Sequence, residues 1–494
     1  MIELPVEIYT TEEVRELDRI AIAQPDISAY ELMCRAGDAA LACVQRHWPE
    51  KKRLSIFCGA GNNGGDGYVL ARLAAAVGLD ARVISVTAPE RLTGAAATAW
   101  RDFRAAGGKT EIPNGELLFG DDLIVDALVG TGLDRELDGF NLAAVTSMNA
   151  VSNPVLSLDI PTGLHADTGV PMGSAVHADV TITFVGLKLG LFLGLASDYR
   201  GTLEFSDLGI PEEVYTQRTH TLERLSLRVL REALPPRRPS SNKGSHGSLL
   251  LVGGSPGMVG AILLAAEAAM RAGAGIVRIA THSESTVGIV SARPEIITCA
   301  IDQPVDLDKL IESANAVVVG PGLGQSDWAR GLMERVLASE LPVVLDADGL
   351  NLLAKQHRQR DNWILTPHPG EAARLLQCDV AAIQADRQQA VLDLVDRYRA
   401  SIVLKGANSL IGSPASEGVA ICDRGNPGMA AAGMGDVLAG IVGAVRVQTG
   451  DDLTALRVGV LLHALAGDTA AEDGQRGLLA RDLMPHIRRW SNPV

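Results

Sequence analysis

Six cysteines (Cys34, Cys43, Cys58, Cys299, Cys378 and Cys422) are scattered over 494 residues, with no C-x-x-C pair and no neighbouring histidine ladder. They indicate neither a disulfide framework nor a zinc site, and read as small core residues of a reducing compartment. Basic runs are missing too: the formal net charge is -15, and no stretch of Lys or Arg is long enough to form a basic stripe. Nucleic acid and anionic membrane surfaces are therefore not expected as partners, and an anionic ligand must be held by local amides. No apolar run approaches the roughly 20 residues that cross a bilayer. Residues 1–7 carry acids in place of a basic, apolar leader, so a cytoplasmic protein is expected. A Walker loop is also lacking, because Gly108-Lys109-Thr110 has Phe103 where the first glycine belongs and follows a helical stretch.

What is present is alternation. With 47% apolar residues and 52 glycines, a chain this long is expected to divide into two α/β domains. Thr10 and Glu13 have capping-box spacing ahead of Val14, Leu17, Ile20 and Ala21, and a second helix runs from about Ser28 through Val44. Apolar runs at 54–58, 81–86, 123–128 and 155–159 then alternate with helical stretches such as 68–77 and 92–106. This predicts a Rossmann-like parallel sheet with helices on both faces, with edge strands at 180–185 and 203–205.

Ligands of such sheets bind where strands end. The first such loop, residues 59–67, reads GAGNNGGDG and satisfies the dinucleotide pattern G-x-G-x-x-G. A dehydrogenase is one reading and an unspecific glycine turn another. The acid that should hold the ribose is missing, since the next strand ends Ser85-Val86-Thr87-Ala88. Loops 126–136 and 159–164 add Asp126, Gly130, Thr131, Gly132 and Asp159. Together the three loops could form an anion cradle and an all-oxygen cation site from Asn63, Asp126 and Thr162. Each acid taken singly reads equally well as a turn residue or cap.

Residues 234–242 are rich in Pro, Arg and Ser and read as a linker or lead-in; the domain boundary is placed slightly earlier, giving domains 1–220 and 221–494. The second domain again sets glycine or acid loops after strands, at 253–260, 320–324, 346–351, 366–371 and 405–409. Its richest stretch is 426–440, NPGMAAAGMGDVLAG, where a glycine turn enters an apolar helix near Asp436. Inward amides and a helix amino terminus hold phosphates, and a carboxylate beside them can accept a hydroxyl proton. Asp436 alone could equally be a cap. His368, fixed between Pro367 and Pro369, is a candidate ligand contact or a solvated loop histidine, while the helix carrying His463 and Asp468 reads as core packing.

The second half resembles the ribokinase-like superfamily through Gly433-Met434-Gly435-Asp436. It is closer still to the ADP- or ATP-dependent NAD(P)H-hydrate dehydratases through Lys243-Gly244, Gly253-Gly254-Ser255, the Gly322 loop, 367–371 and Lys405-Gly406. The first half resembles the NAD(P)H-hydrate epimerases through Leu32-Met33, Arg35-Ala36-Gly37, GNNGGDG, Asp126 with Gly130-Thr131-Gly132, and residues 159–163. The order of the halves is similar to the bacterial bifunctional NAD(P)H-hydrate repair family.

The resemblance implies that the first domain interconverts the R and S forms of hydrated NADH and NADPH (NADHX and NADPHX). The second domain would phosphorylate and dehydrate the S form with ADP or ATP, K+ and Mg2+ serving as ions. By the same resemblance, Asn62, Asn63, Gly64, Gly65, Asp66, Gly130, Thr131, Gly132, Leu133, Asp134, Arg135, Glu136 and Asp159 contact the hydrate in the epimerase. Asn63, Asp126 and Thr162 bind potassium, and Asp159 is the expected proton-handling group. In the dehydratase Gly260, Gly322, His368 and Asp436 contact the hydrate, with Asp436 as catalytic base. Lys405, Gly406, Ala407, Asn408, Ser409 and Gly435 hold the adenine nucleotide, and a homo-oligomer is expected. One departure is Ala431-Ala432, where the family has a hydroxyl residue and a glycine. A vitamin-precursor kinase of the ribokinase-like group and a catalytically silent first domain are the other readings.

Overall fold

The computed structural model describes residues 4–112, 119–217, 222–416 and 418–493. The chain forms two compact units, Met1–Leu222 and Glu223–Val494. The boundary expected at residue 220 lies outside the described residues.

The first unit opens as the sequence demands. Thr10 caps the helix Thr11–Ile22, and its side chain and that of Glu13 satisfy each other's backbone amides. Ser28 caps Ala29–His47. Seven parallel strands follow, in the spatial order Thr110–Glu111, Asp80–Ser85, Arg53–Cys58, Leu123–Ala127, Val155–Leu158, Val180–Phe184 and Thr202–Ser206. The order reverses direction between Arg53–Cys58 and Leu123–Ala127, so the crevice at their carboxyl ends is where a ligand fits. Two expectations are corrected. Val180–Phe184 is an interior strand, buried along its whole length and paired on both sides, because Thr202–Ser206 forms the edge beyond it. The helix expected from residue 68 starts at Asn62, so Asn62-Asn63-Gly64-Gly65-Asp66 forms its first turns, not a loop ahead of it.

In the second unit neighbouring strands run in the order Ile297–Ala300, Ile276–Thr281, Ser248–Val252, Ala316–Val319, Val343–Leu345, Trp363–Leu365, Ser401–Leu404, Ser409–Gly412 and Val419–Cys422. Seven are parallel, and the last two fold back antiparallel. The switch point lies between Ser248–Val252 and Ala316–Val319.

The helix Met434–Thr449 crosses this region, buried from Val437 through Val445. It packs on Val259–Arg271 so closely that a Cβ at Gly440 would lie 2.0 Å from the Ala265 carbonyl oxygen. Backbone contact at this distance is open only to glycine. Gly440→Val forces the helices apart and is expected to lower the unfolding free energy of this unit by about 1–3 kcal/mol, read as a lower midpoint in urea denaturation; an unchanged midpoint would refute the tight contact.

Candidate active sites

In the first unit a cavity of about 580 Å3 opens at the switch point. It is lined by Asn62, Asn63, Asp66, Gly130, Thr131, Gly132 and Asp159, together with Asp18, Met33 and Lys188. Gly64 and Gly65 stand behind this lining, packed against the Gly59 carbonyl and Met33. Leu133, Asp134, Arg135 and Glu136 are not part of it: past Gly132 the chain turns outward, and residues 134–136 are exposed.

Asp159 ends its strand in the left-handed region, φ +67, held by its amide donating to Ile182 O at 2.7 Å. A non-glycine residue adopts such a backbone only where its surroundings enforce it. The turn brings its carboxylate onto the Lys188 ammonium. Lys188 is 2% exposed and also donates to Phe184 O at 2.6 Å and Thr183 Oγ1 at 3.1 Å. Two further carboxyls face this pair. Burial, offset by Lys188 and reinforced by Asp159, pushes Asp18 up to about 6. Burial, with Asp159 and Asp18, pushes Asp66 well above the usual carboxylate range. The cavity floor thus sets the Asp159–Lys188 ion pair against two carboxyls that burial raises above the usual range.

Behind the cavity, Asp126 is fully buried and accepts from Thr162 N at 2.8 Å, Thr162 Oγ1 at 2.6 Å, Ser157 Oγ at 2.8 Å and Leu128 N at 3.3 Å. Both side-chain polar atoms of buried Asn63, which packs against Gly130, lack a hydrogen-bond partner. An orphaned buried amide oxygen in the cavity wall suits a hard cation with oxygen ligands.

In the second unit Gly433 takes φ +88 and starts the helix Met434–Thr449, two residues before the expected Asp436. Asp436 therefore occupies the third helical position, where the dipole favours an anion. Its neighbours oppose that. Asp346 is 2% exposed, accepts from Lys405 Nζ at 2.7 Å and Thr366 Oγ1 at 2.7 Å, and Glu371 Oε2 stands 3.7 Å from the same ammonium. Burial first, then Asp346 and Glu371, raise Asp436 to about 7 against the pull of Lys405. Burial would lower Lys405, but Asp346 and Glu371 outweigh it and hold the ammonium above its ordinary value.

His368 caps the helix Pro369–Leu376: its Nδ1 accepts from Gly370 N at 3.0 Å and Glu371 N at 3.4 Å, while Glu371 returns to His368 N at 2.8 Å. Burial and Lys405 push His368 down, favouring its neutral form. His463, expected as core packing, lies near the same ammonium; burial and Lys405 lower it to about 4. Asp468 on that helix accepts from Gly425 N and Asn426 Nδ2, both at 3.0 Å, and so anchors the loop leading to the turn.

Gly322 O accepts from Ser255 N at 2.7 Å, which ties its loop to the first glycine loop, and Gly260 lies in the first turn of Val259–Arg271 with open space above it. Gly406, Ala407, Asn408 and Ser409 form the turn after Ser401–Leu404, clamped from below by buried Arg387, which donates to Ala407 O at 2.5 Å and Leu404 O at 3.3 Å. Lys405 leaves this turn inward: a Cβ at Gly435 would sit 3.2 Å from its ammonium.

Sequence reasoning missed Lys188 and Asp18, and gave Asp346 and Glu371 no role. For Lys188 a signal existed, because a single lysine within Gly186-Leu187-Lys188-Leu189-Gly190 is buried only with a partner. Asp18 had none, being one polar residue of an amphipathic helix.

Because Asp436 is raised in the folded protein, its contribution to stability is full below its unfolded value of 3.8 and is lost as pH rises through about 7. Asp436→Asn removes that loss. It is expected to stabilise the second unit at alkaline pH by more than about 1 kcal/mol relative to wild type and to have little effect in acid. Equal effects at both pH values in denaturant titrations would contradict this account.

The NAD(P)H-hydrate dehydratase family matches residues 249–489, and the family described as YjeF-related protein N-terminus matches 29–190. A bifunctional NAD(P)H-hydrate repair enzyme of Coxiella burnetii is 44% identical over 488 residues, 98% of this chain and 99% of its own. An ADP/ATP-dependent NAD(P)H-hydrate dehydratase from Bacillus subtilis, crystallised with ATP/Mg2+, is 31% identical with a TM-score of 0.50, covering 54% of this chain and 96% of its own. A ribokinase-like superfamily protein of Enterococcus faecalis has a TM-score of 0.51 at 27% identity, covering 55% and 95%. The second unit has the ribokinase-like α/β fold, and the chain as a whole belongs to the bifunctional NAD(P)H-hydrate repair enzyme family.

Proposed function

We propose that this chain repairs hydrated NADH and NADPH in two steps, epimerising the hydrate in the first unit and dehydrating the S form in the second. The observation that carries the reading is Asp436 in the first turn of a glycine-entered helix, raised to about 7 beside Lys405, Asp346 and Glu371. A carboxylate poised near neutrality at a phosphate-binding terminus suits phosphoryl transfer to an alcohol.

In the second unit Asp436 takes the proton of the hydroxyl on carbon 6 as that oxygen attacks the terminal phosphoryl group of ADP or ATP. Amides of residues 433–435 hold the transferring group. The phosphoester then loses phosphate, driven by the ring nitrogen lone pair, and loss of a proton from carbon 5 restores the dihydropyridine. ADP gives AMP plus phosphate, and ATP gives ADP plus phosphate. Gly260, Gly322 and His368 border the hydrate, and residues 406–409 with Gly435 border the nucleotide. Lys405, assigned to the nucleotide by resemblance, here acts on the acids around Asp436. Mg2+ would accompany the nucleotide phosphates instead of occupying a protein cage.

In the first unit the hydroxyl of carbon 6 leaves as water, taking a proton from one of the raised carboxyls, Asp66 or Asp18. Water returns to either face, and its proton passes by way of Asp159, paired with Lys188, back to the carboxylate that gave one up. Asn63, Asp126 and Thr162 would hold K+, which supplies fixed positive charge at the cavity wall. A homo-oligomer in the cytoplasm completes the proposal.

The test mixes purified protein with both epimers of NADH hydrate and follows recovery of the near-ultraviolet absorbance of reduced nicotinamide after ADP or ATP is added. Wild type is expected to recover both epimers and release free phosphate. Asp436→Asn should lose about 10²–10⁴ of the rate, and Asp159→Asn should recover one epimer only. A lasting phosphoester in place of free phosphate would point to a small-molecule kinase and overturn the reading.

A further inference from the structure

A second polar cluster lies in the first unit, away from the cavity. Cys43 and His47 stand four residues apart on the helix Ala29–His47, and so share one face. Glu204, from the edge strand Thr202–Ser206, reaches across to them. One donor atom from each of the three lies within 4.8 Å of the others. His47 Nε2 is 2.7 Å from Glu204 Oε1, and Arg46 Nη1 donates to the second carboxylate oxygen, Oε2, at 2.5 Å, leaving Oε1 turned toward the imidazole. Cys43 is fully buried, whereas the His47 side chain is 28% exposed, so the cluster has a closed inner end and an open outer one.

We propose that Cys43, His47 and Glu204 bind one borderline-soft divalent cation of the Zn2+ class, with water completing a tetrahedron on the exposed side. Thiolate, imidazole and carboxylate form a donor set suited to Zn2+ or Co2+ and unsuited to Mg2+ or Ca2+. Metal–ligand bonds of about 2.0–2.3 Å place tetrahedral donors roughly 3.2–3.8 Å apart. The imidazole and carboxylate therefore open slightly, with Arg46 keeping Oε2 satisfied as Oε1 becomes the ligand. The Cys43 thiol proton is released to solvent as the metal–sulfur bond forms, so affinity falls with falling pH.

The site stands apart from the cavity. At 1.5 Å per residue, His47 lies about 16 Å along its helix from Ala36, which lines the cavity. The metal would join the end of that helix to the edge strand and bridge residues 157 apart in sequence. The usual paired-cysteine spacing is absent because the third ligand comes from a distant strand.

The test strips the full-length protein with a chelator and titrates it with Co2+. A thiolate-to-cobalt charge-transfer band is expected to saturate at one equivalent and to disappear on adding Zn2+. Cys43→Ser removes the band, and Cys299→Ser keeps it. His47→Ala and Glu204→Gln weaken affinity by at least the roughly 10–100-fold that loss of an outer-shell partner costs. The rise in Tm produced by Zn2+ in wild type is lost in His47→Ala, a readout that serves even if Cys43→Ser folds poorly. Absence of the band in the wild-type protein, or a band that survives Cys43→Ser, overturns the proposal.

Discussion

The partly buried ammonium of Lys405 organises the second unit's chemistry. Lys405 stands among Asp346, Glu371 and Asp436, three carboxyls that cannot all be charged in so little water without it. One lysine against three acids leaves the cluster short of positive charge; burial first, and then this shortfall, raises Asp436 to about 7 and lifts Glu371 above its ordinary value as well. Burial and this imbalance together suit Asp436 to accept a proton near neutral pH while its neighbours position the lysine. Around it the fold supplies rigid supports. Arg387 clamps the turn from which Lys405 springs, the His368–Glu371 cap fixes Glu371, and the Gly440 contact locks the helix that carries Asp436.

The first unit meets the same constraint with different parts. Lys188 is held by a carbonyl and a hydroxyl so that its charge meets Asp159, while Asp18 and Asp66 are pushed toward their neutral forms. The left-handed backbone at Asp159 is what aims its carboxylate. In both units, then, a lysine pairs with one carboxyl while burial raises others beside it.

Local signals carried much of the architecture. The Thr10–Glu13 spacing gave a capping box, the alternation gave two parallel sheets, and the glycine turn before Asp436 gave a helix amino terminus within two residues. What local sequence could not supply was side-chain convergence from distant elements. Lys188 meets Asp159 across 29 residues and Lys405 meets Asp346 across 59; neither pairing leaves a spacing to read. The helix start at Asn62 was hidden because glycines normally end helices. Here they are needed inside the first turn for contact with Gly59 and Met33. Thr202–Ser206 was recognisable as a strand, but only pairing could show that it, and not Val180–Phe184, forms the edge.

The central claim is that burial, reinforced by this crowded charge cluster, gives Asp436 its basicity, and the pH profile of kcat/KM for nucleotide-dependent dehydration tests it most directly. The account predicts that the rate falls as pH drops through about 7. It also predicts that Glu371→Gln, which keeps the helix cap but removes one of the charges raising Asp436, moves that midpoint to lower pH. A profile flat through the neutral range, or a midpoint that Glu371→Gln leaves in place, would contradict it.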